Sequence, residues 1–324
     1  MKKNETNMLL DVKNLRTYFD TRKGPVKAVD GISYDVSPGE MVALVGESGC
    51  GKSVSALSLL QLLPVPPARV LEGEAWFEGR DLLKLSKEEI RHVRGLKIAM
   101  VFQEPMSSLN PVLTIGRQLT ETLVEHQLMD YKEAKIKSIK LLESVGISDA
   151  ERRLKQYPDQ FSGGMRQRVM LAIALSCSPS LIIADEPTTA IDVTVQAQIL
   201  ELLHSVVQSS GVATLLITHN LGVVAKYAHR VNVMYAGRIV EQAPVDELFH
   251  NPKHPYTEAL LSCVPRLDQD RSRKLVPIEG QPPDLVKRPS GCAFHPRCFR
   301  AKPECRKEWP PLINISKDHF LSCF

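Results

Sequence analysis

The stretch MVALVGESGCGKSVSALSLL, residues 41–60, decides the fold. Five apolar residues, Met41 to Val45, lead into a glycine-rich turn and then into a helix-forming run that Pro64 ends, so the stretch predicts strand, loop and helix in that order. Within it Gly46-Glu47-Ser48-Gly49-Cys50-Gly51-Lys52-Ser53 fits the phosphate-loop pattern GxxxxGK[ST] in the strand-to-helix setting the pattern demands. Glycines let successive backbone N–H groups turn inward around a β-phosphate at a helix N-terminus. Lys52 can reach the β- and γ-phosphates, and Ser53 can ligate Mg²⁺. Gly46, Ser48, Gly49, Gly51, Lys52, Ser53 and Val54 are therefore the candidate ATP contacts. Cys50 reads as a small residue tolerated at a variable position, with no chemistry of its own.

Two further apolar runs end in groups that chemistry could use. SLIIADEP (180–187) predicts a buried strand tipped by two acids: Asp185 to hold the magnesium shell and Glu186 to polarise an attacking water. TLLITHN (214–220) predicts a strand that leaves His219 at its C-terminal end, where open α/β sheets bind ligands.

FSGGMRQR (161–168) makes a resemblance explicit. It is similar to the signature of the ATP-binding cassette (ABC) ATPases, with Ser162, Gly163 and Gly164 opening a helix. Gln103 in MVFQEP resembles the family's Q-loop and is a candidate for catalysis and for the magnesium shell, while Ala190-Ile191-Asp192 resembles its D-loop. Six elements in the family's order cover roughly residues 8 to 245. The resemblance implies an α/β fold, a P-loop NTPase cassette with a RecA-like core and antiparallel β and helical subdomains, the helical one at about 104–160. It also implies that two cassettes pack head to tail, each ATP held between one phosphate loop and the other subunit's signature, with Asp192 linking the two sites. For adenine the family uses an aromatic residue after the first strand. LDVKNLRTYF offers Phe19, with Tyr18 as the alternative. Where the family usually has Asp after the histidine, this chain has Asn220, and at most a modest slowing is expected from it.

FQEPMSSLNPVLTIG and NPKHPYTEALL (251–261) resemble the ATPase subunits of the oligopeptide/dipeptide importers, a group with nickel and glutathione relatives. The implied partners are a second, paralogous ATPase subunit, two transmembrane permease subunits and an extracytoplasmic peptide-binding protein, with no nucleic acid. The implied place is the cytoplasmic face of the cell membrane. His254-Pro255-Tyr256-Thr257 also reads as a proline-rich linker docking on the cassette. A soluble ABC ATPase with a redox- or metal-sensing tail is the reading from another class.

Composition bounds these readings. A chain of 324 residues, 43% hydrophobic and 24% charged, buries a real core. The longest apolar stretch, residues 54–65, is interrupted by Ser55, Ser58 and Gln61 and falls short of the roughly 18 residues a membrane span requires. The N-terminus lacks the apolar core of an export signal, so a cytoplasmic site is expected. The net charge of +4 is unevenly spread: residues 251–324 carry 13 Lys/Arg against 8 Asp/Glu, and 11 of the 22 prolines. The sequence thus predicts a cassette over 1–250 and a loop-rich C-terminal extension over 251–324.

Four of the seven cysteines lie in the last 33 residues, as Cys292-x5-Cys298-x6-Cys305-x17-Cys323. Zinc ribbons bring paired cysteines two to four residues apart, and this chain has no CxxC. Four thiolates can hold a [4Fe-4S] cube, with Arg297, Arg300, Lys302, Arg306 and Lys307 to offset its charge, and some peptide-importer ATPases carry such a cluster in this region. Zn²⁺ is the alternative. From its distance in sequence the cluster reads as a structural staple with no part in hydrolysis.

Overall fold

A computed structural model describes residues 8–102, 109–187, 193–263 and 277–324. The Q-loop residue Gln103 and the D-loop residue Asp192 lie outside the described residues. The chain divides into two compact units, one made of residues 1–9, 37–40 and 85–216, the other of 10–36, 41–84 and 217–324.

The second unit opens with β1 (Leu10–Thr21) and β2 (Gly24–Val36), then β3 (Met41–Val45), helix α1 (Lys52–Leu59), β4 (Ala68–Phe77) and the short β5 (Arg80–Asp81). Strands β2, β1, β4 and β5 form an antiparallel sheet in that order. β1 buries Leu10, Val12, Leu15 and Thr17 and leaves polar neighbours outside, the alternation expected of a sheet with one covered face. Its register shifts beside Asn14, whose φ of 46° marks a bulge.

The first unit holds α2 (Lys87–Val93), β6 (Ile98–Val101), α3 (Ile115–Gln127), α4 (Tyr131–Ser144), α5 (Ala150–Arg153), α6 (Gly163–Leu175), β7 (Leu181–Asp185) and α7 (Val193–Ser210). Helices α3 to α5 fall within the segment 104–160 expected as a helical subdomain. Thr114 caps α3 by accepting from the Arg117 N–H (3.3 Å), and Ile115, Leu119 and Leu123, spaced by four, are fully buried along its inner stripe. Asp130 caps α4 in the same way at 2.8 Å. β6 and β7 pair in parallel from Ile98↔Leu181 to Val101↔Ala184, and β7 is buried along its whole length, as a strand covered on both faces must be.

β8 (Ala213–Thr218) carries the chain back into the second unit, followed by α8 (Leu221–Tyr227), β9 (Arg230–Tyr235), β10 (Arg238–Pro244), α9 (Val245–His250) and α10 (Pro255–Ser262). β9 runs parallel to β3, from Val42↔Arg230 to Val45↔Val233, and antiparallel to β10. The C-terminal segment is mostly turns, but it ends in a hairpin, β11 (Ile313–Ser316) and β12 (His319–Leu321). β12 pairs with β10 through Glu241↔Leu321 and Gln242↔Phe320. Composition changes at residue 251; the core does not. Val233, Tyr235 and Val240 share one buried cluster with Tyr256, Cys292, Phe294 and Cys305.

Glu241 ties the segments polar-to-polar inside that core. Its carboxylate, fully buried, accepts from the backbone N–H groups of Lys253 (2.7 Å) and His254 (3.1 Å) and from His319 Nε2 (2.8 Å).

Candidate active site

β3 delivers the chain to Gly46, and the loop that follows is wedged between backbone segments. Gly46 (φ 152°) stands where a Cβ would lie 2.2 Å from the carbonyl oxygen of Met234, and at Gly51 (φ 106°) a Cβ would lie 2.1 Å from that of Ala28. Only glycine fits either position. Gly237 N–H donates to the Cys50 carbonyl at 3.0 Å, closing the loop against the β9–β10 turn. Ser48 and Gly49 stay exposed at the crown, while Ser53 and Val54 are half-buried in the first turn of α1. Lys52 is buried, and its Nζ donates to the carbonyls of Gly46 (2.8 Å) and Glu47 (3.1 Å), so the ammonium already stands inside the loop. Cys50 is buried too, and burial pushes its thiol up, away from reactivity.

The C-terminal segment reaches this loop, which its distance in sequence gave no reason to expect. The Tyr256 hydroxyl accepts from the Glu47 N–H at 2.8 Å. Arg297 grips the Glu47 carboxylate with both ends of its fork, Nη1 at 2.7 Å and Nη2 at 3.1 Å, from a side chain only 5% exposed. The linker reading of His254 to Thr257 thus corresponds to a docking contact on the loop. Arg297's charge is spent on Glu47, Arg300 pairs with Glu258, and Lys302 donates to the Phe324 carbonyl (3.0 Å). Glu47 occupies a variable position of the motif, and no pattern in the sequence paired it with Tyr256 of the docking linker or with Arg297 beside the thiols.

In the other unit Ser162 caps α6, accepting from the Met165 N–H at 3.3 Å, and Gly163 and Gly164 form its first turn. A Cβ on Gly164 would lie 2.6 Å from Val195 Cγ1, so close packing on α7 also requires that glycine. Gln167 Nε2 donates to the Pro187 carbonyl (2.9 Å) and ties the signature helix to the segment after the acids. Asp185 ends β7 at 5% exposure. Glu186 follows with φ 45°, a left-handed backbone that costs a glutamate about 1–3 kcal/mol and gathers at functional sites.

His219 is exposed one residue beyond β8. Its neighbour Asn220 caps α8, its Oδ1 accepting from the N–H groups of Gly222 (3.0 Å) and Val223 (3.3 Å). Asn and Asp cap equally well, so the departure from the family's pattern keeps the geometry and drops the charge. Tyr18 donates to Asp30 Oδ1 at 2.6 Å and has Lys27 Nζ over its ring at 6.0 Å. Burial pushes the Asp30 carboxyl up, but hydrogen bonds from Tyr18, Arg288 and Arg238 outweigh it and hold the group well below the usual range. Phe19, half-buried beside Tyr18, meets no other ring among the described residues.

The four C-terminal thiols share one neighbourhood, and all are free. Burial pushes Cys292 up to about 11, and the charges of Cys305, Cys323 and Cys298 add to the effect; Cys298 and Cys323 are raised in the same way. Among the described residues no three His, Cys, Asp or Glu side chains stand close enough to share a single metal ion.

The model for the ABC transporter family matches residues 29–189, and that for the oligopeptide/dipeptide transporter C-terminal region matches residues 240–305. The chain is 50% identical over 316 residues to the oligopeptide transport ATP-binding protein AppD of Bacillus subtilis, covering 98% of this chain and 96% of AppD. The chain belongs to the ABC transporter ATP-binding proteins. This ABC ATPase is also 49% identical to the dipeptide transport ATP-binding protein DppD of B. subtilis, over 98% of the chain and 94% of DppD. A solved dimer of the ATP-binding cassette MJ0796 in a post-hydrolysis state with ADP and Pi superposes with a TM-score of 0.65 at 26% identity, over 73% of this chain and 98% of the other. The fold is thus a P-loop NTPase cassette with a cysteine-containing C-terminal extension, and its activity is ATP hydrolysis. As an ABC transporter ATPase it works as a dimer with membrane permeases; no helix among its described residues is long and apolar enough to cross a membrane.

Proposed function

We propose that this ABC ATPase powers a binding-protein-dependent importer of di- and oligopeptides from the cytoplasmic face of the membrane. It would pair head to tail with a second, paralogous ATPase on two permeases. The observation that carries this is the match of the C-terminal segment to the oligopeptide/dipeptide transporter region, joined to about 50% identity with peptide-transport ATPases along nearly the whole chain.

In this reading Lys52 holds the β- and γ-phosphates, and the loop N–H groups with Ser48, Gly49, Ser53 and Val54 cradle the rest. Phe19, with Tyr18 as the alternative, stacks on adenine. Ser53, Asp185 and Gln103 would hold Mg²⁺, whose charge offsets that of the phosphate oxygens. Glu186 accepts the proton of the attacking water and His219 orients the γ-phosphate. Ser162, Gly163 and Gly164 serve the partner's nucleotide, and Asp192 links the two sites. Cys292, Cys298, Cys305 and Cys323, all free and two of them buried, would be the ligands of a [4Fe-4S] cluster, with Zn²⁺ as the alternative.

The test is co-purification from membranes with two hydrophobic permeases and a second cassette, followed by reconstitution with the cognate binding protein. ATP turnover should rise with peptide-loaded binding protein. Stimulation by nickel or glutathione alone would replace the substrate, and full activity of a soluble monomer would overturn the reading.

A further inference from the structure

Glu47 presents an electrostatic problem that the phosphate loop does not solve by itself. It is the second residue of a loop that must receive a triphosphate carrying several negative charges, and its own carboxylate adds another. Arg297 answers it with the two-pronged ion pair described above. The remaining donors of that guanidinium are also placed: Nε donates to the Glu279 carbonyl (2.9 Å), Nη2 to that of Ile278 (3.4 Å) and Nη1 to the Tyr235 hydroxyl (3.3 Å). The ring faces of Tyr235 and Phe294 flank it at 5.9 Å. A guanidinium held on every side is a fixed charge rather than a wandering one.

The second tie acts on the backbone. The Glu47 N–H donates to Tyr256, whose ring is fully buried against Tyr235 (4.5 Å between centroids) and Phe294 (5.3 Å). Glu47's carbonyl meanwhile accepts from Lys52. One loop residue is therefore held at amide, carbonyl and carboxylate, two of the three by the C-terminal segment. The turn that carries Arg297, His295–Arg297, is strung between Cys292 and Cys298, with the His295 N–H donating to the Cys292 carbonyl at 3.0 Å.

We infer that Arg297 and Tyr256 are positioning residues for ATP: Arg297 cancels the Glu47 carboxylate beside the triphosphate, and Tyr256 fixes the loop's entry so that the cradle is formed before nucleotide arrives. Neither needs to touch the nucleotide.

The signature of this arrangement is charge reciprocity, measured as ATP binding and as KM and kcat on the full chain in its assembled transporter. Arg297→Met strands the carboxylate and should raise the Kd and KM for ATP about tenfold or more, with kcat within about twofold, the loss shrinking as salt screens it. Glu47→Gln alone should bind ATP at least as tightly as wild type. The double variant Glu47→Gln/Arg297→Met should return to within about threefold of wild type, which a merely structural arginine would not do. Tyr256→Phe keeps the ring in its cluster and removes only the acceptor, so it reads the second tie even if Arg297→Met does not fold; a loss of about threefold in affinity is expected. Wild-type ATP affinity in Tyr256→Phe, or in folded Arg297→Met, or a double variant as weak as Arg297→Met alone, would overturn the inference.

Discussion

Acidification should unfold this protein through His254, and the size of the effect follows from where the ring sits. His254 caps α10 by accepting the Tyr256 N–H on Nδ1 (3.0 Å), in a core position 1% exposed, 5.9 Å from the Phe294 ring. Burial, with the nearby Arg300 cation adding to it, pushes its pKa down to about 3 from the ordinary 6.5. The unfolded chain therefore binds a proton that the folded one refuses throughout the interval between those values. The stability from a neutral His254 is complete above the unfolded pKa and is lost as pH falls towards the folded one, at about 1.4 kcal/mol per pH unit. That amounts to about 1 kcal/mol between pH 7.5 and about 5.5, and about 5 kcal/mol in full. His254→Asn keeps an acceptor for the cap and abolishes the titration. Urea unfolding followed by the fluorescence of Trp76 and Trp309, in reducing buffer at a series of pH values, should give a steeper decline for wild type than for the variant, by that slope. Parallel declines would refute the buried neutral ring.

Glu186→Gln should retain ATP binding in the assembled transporter and lose steady-state turnover, whereas Lys52→Ala should lose affinity itself; wild-type turnover of Glu186→Gln would remove the glutamate as base. Asn220→Asp should leave stability unchanged and Asn220→Ala should cost about 1 kcal/mol, because the cap is shared by both amide and acid; equal losses in a thermal melt would refute the capping role. Protein purified without oxygen should be brown and hold about four iron atoms per chain, and Cys305→Ser should bleach it; colourless protein with one zinc would exclude the cluster. The isolated chain should hydrolyse ATP slowly, since the signature helix serves a partner's site, and rapid turnover by a proven monomer would contradict this.

What the sequence revealed was whatever repeats a fixed local pattern. The phosphate loop was legible because Gly46 and Gly51 meet backbone oxygens and accept no substitute, and α3 because Ile115, Leu119 and Leu123 fall on one stripe. Ser162 was legible as a cap ahead of two glycines. The contacts of Glu47 were not, since Tyr256 and Arg297 come from 209 and 250 residues away and obey no spacing. For the same reason Arg297 was read as a counter-charge for the thiols: its neighbours in sequence are cysteines, while its neighbour in space is a carboxylate. Asn220 looked like a lost acid because the missing charge is visible in sequence and the cap that the amide forms is not.

The pairing of β12 with β10 sets where this protein can be cut and spliced. A chimera joined at residue 250 would take a cassette from one relative and a tail from another, and the new tail would have to supply the strand that completes the sheet edge, a histidine for Glu241 and an aromatic ring between Tyr235 and Phe294. A mismatch leaves an open strand edge and a stranded carboxylate, the ingredients of an insoluble product. No seam between β3 and the tail spares that core, because Ala43 and Val45 lie in the same buried cluster as Val233 and Tyr235 and β3 pairs with β9, so β3, β9, β10 and the cysteine segment have to be inherited from one parent.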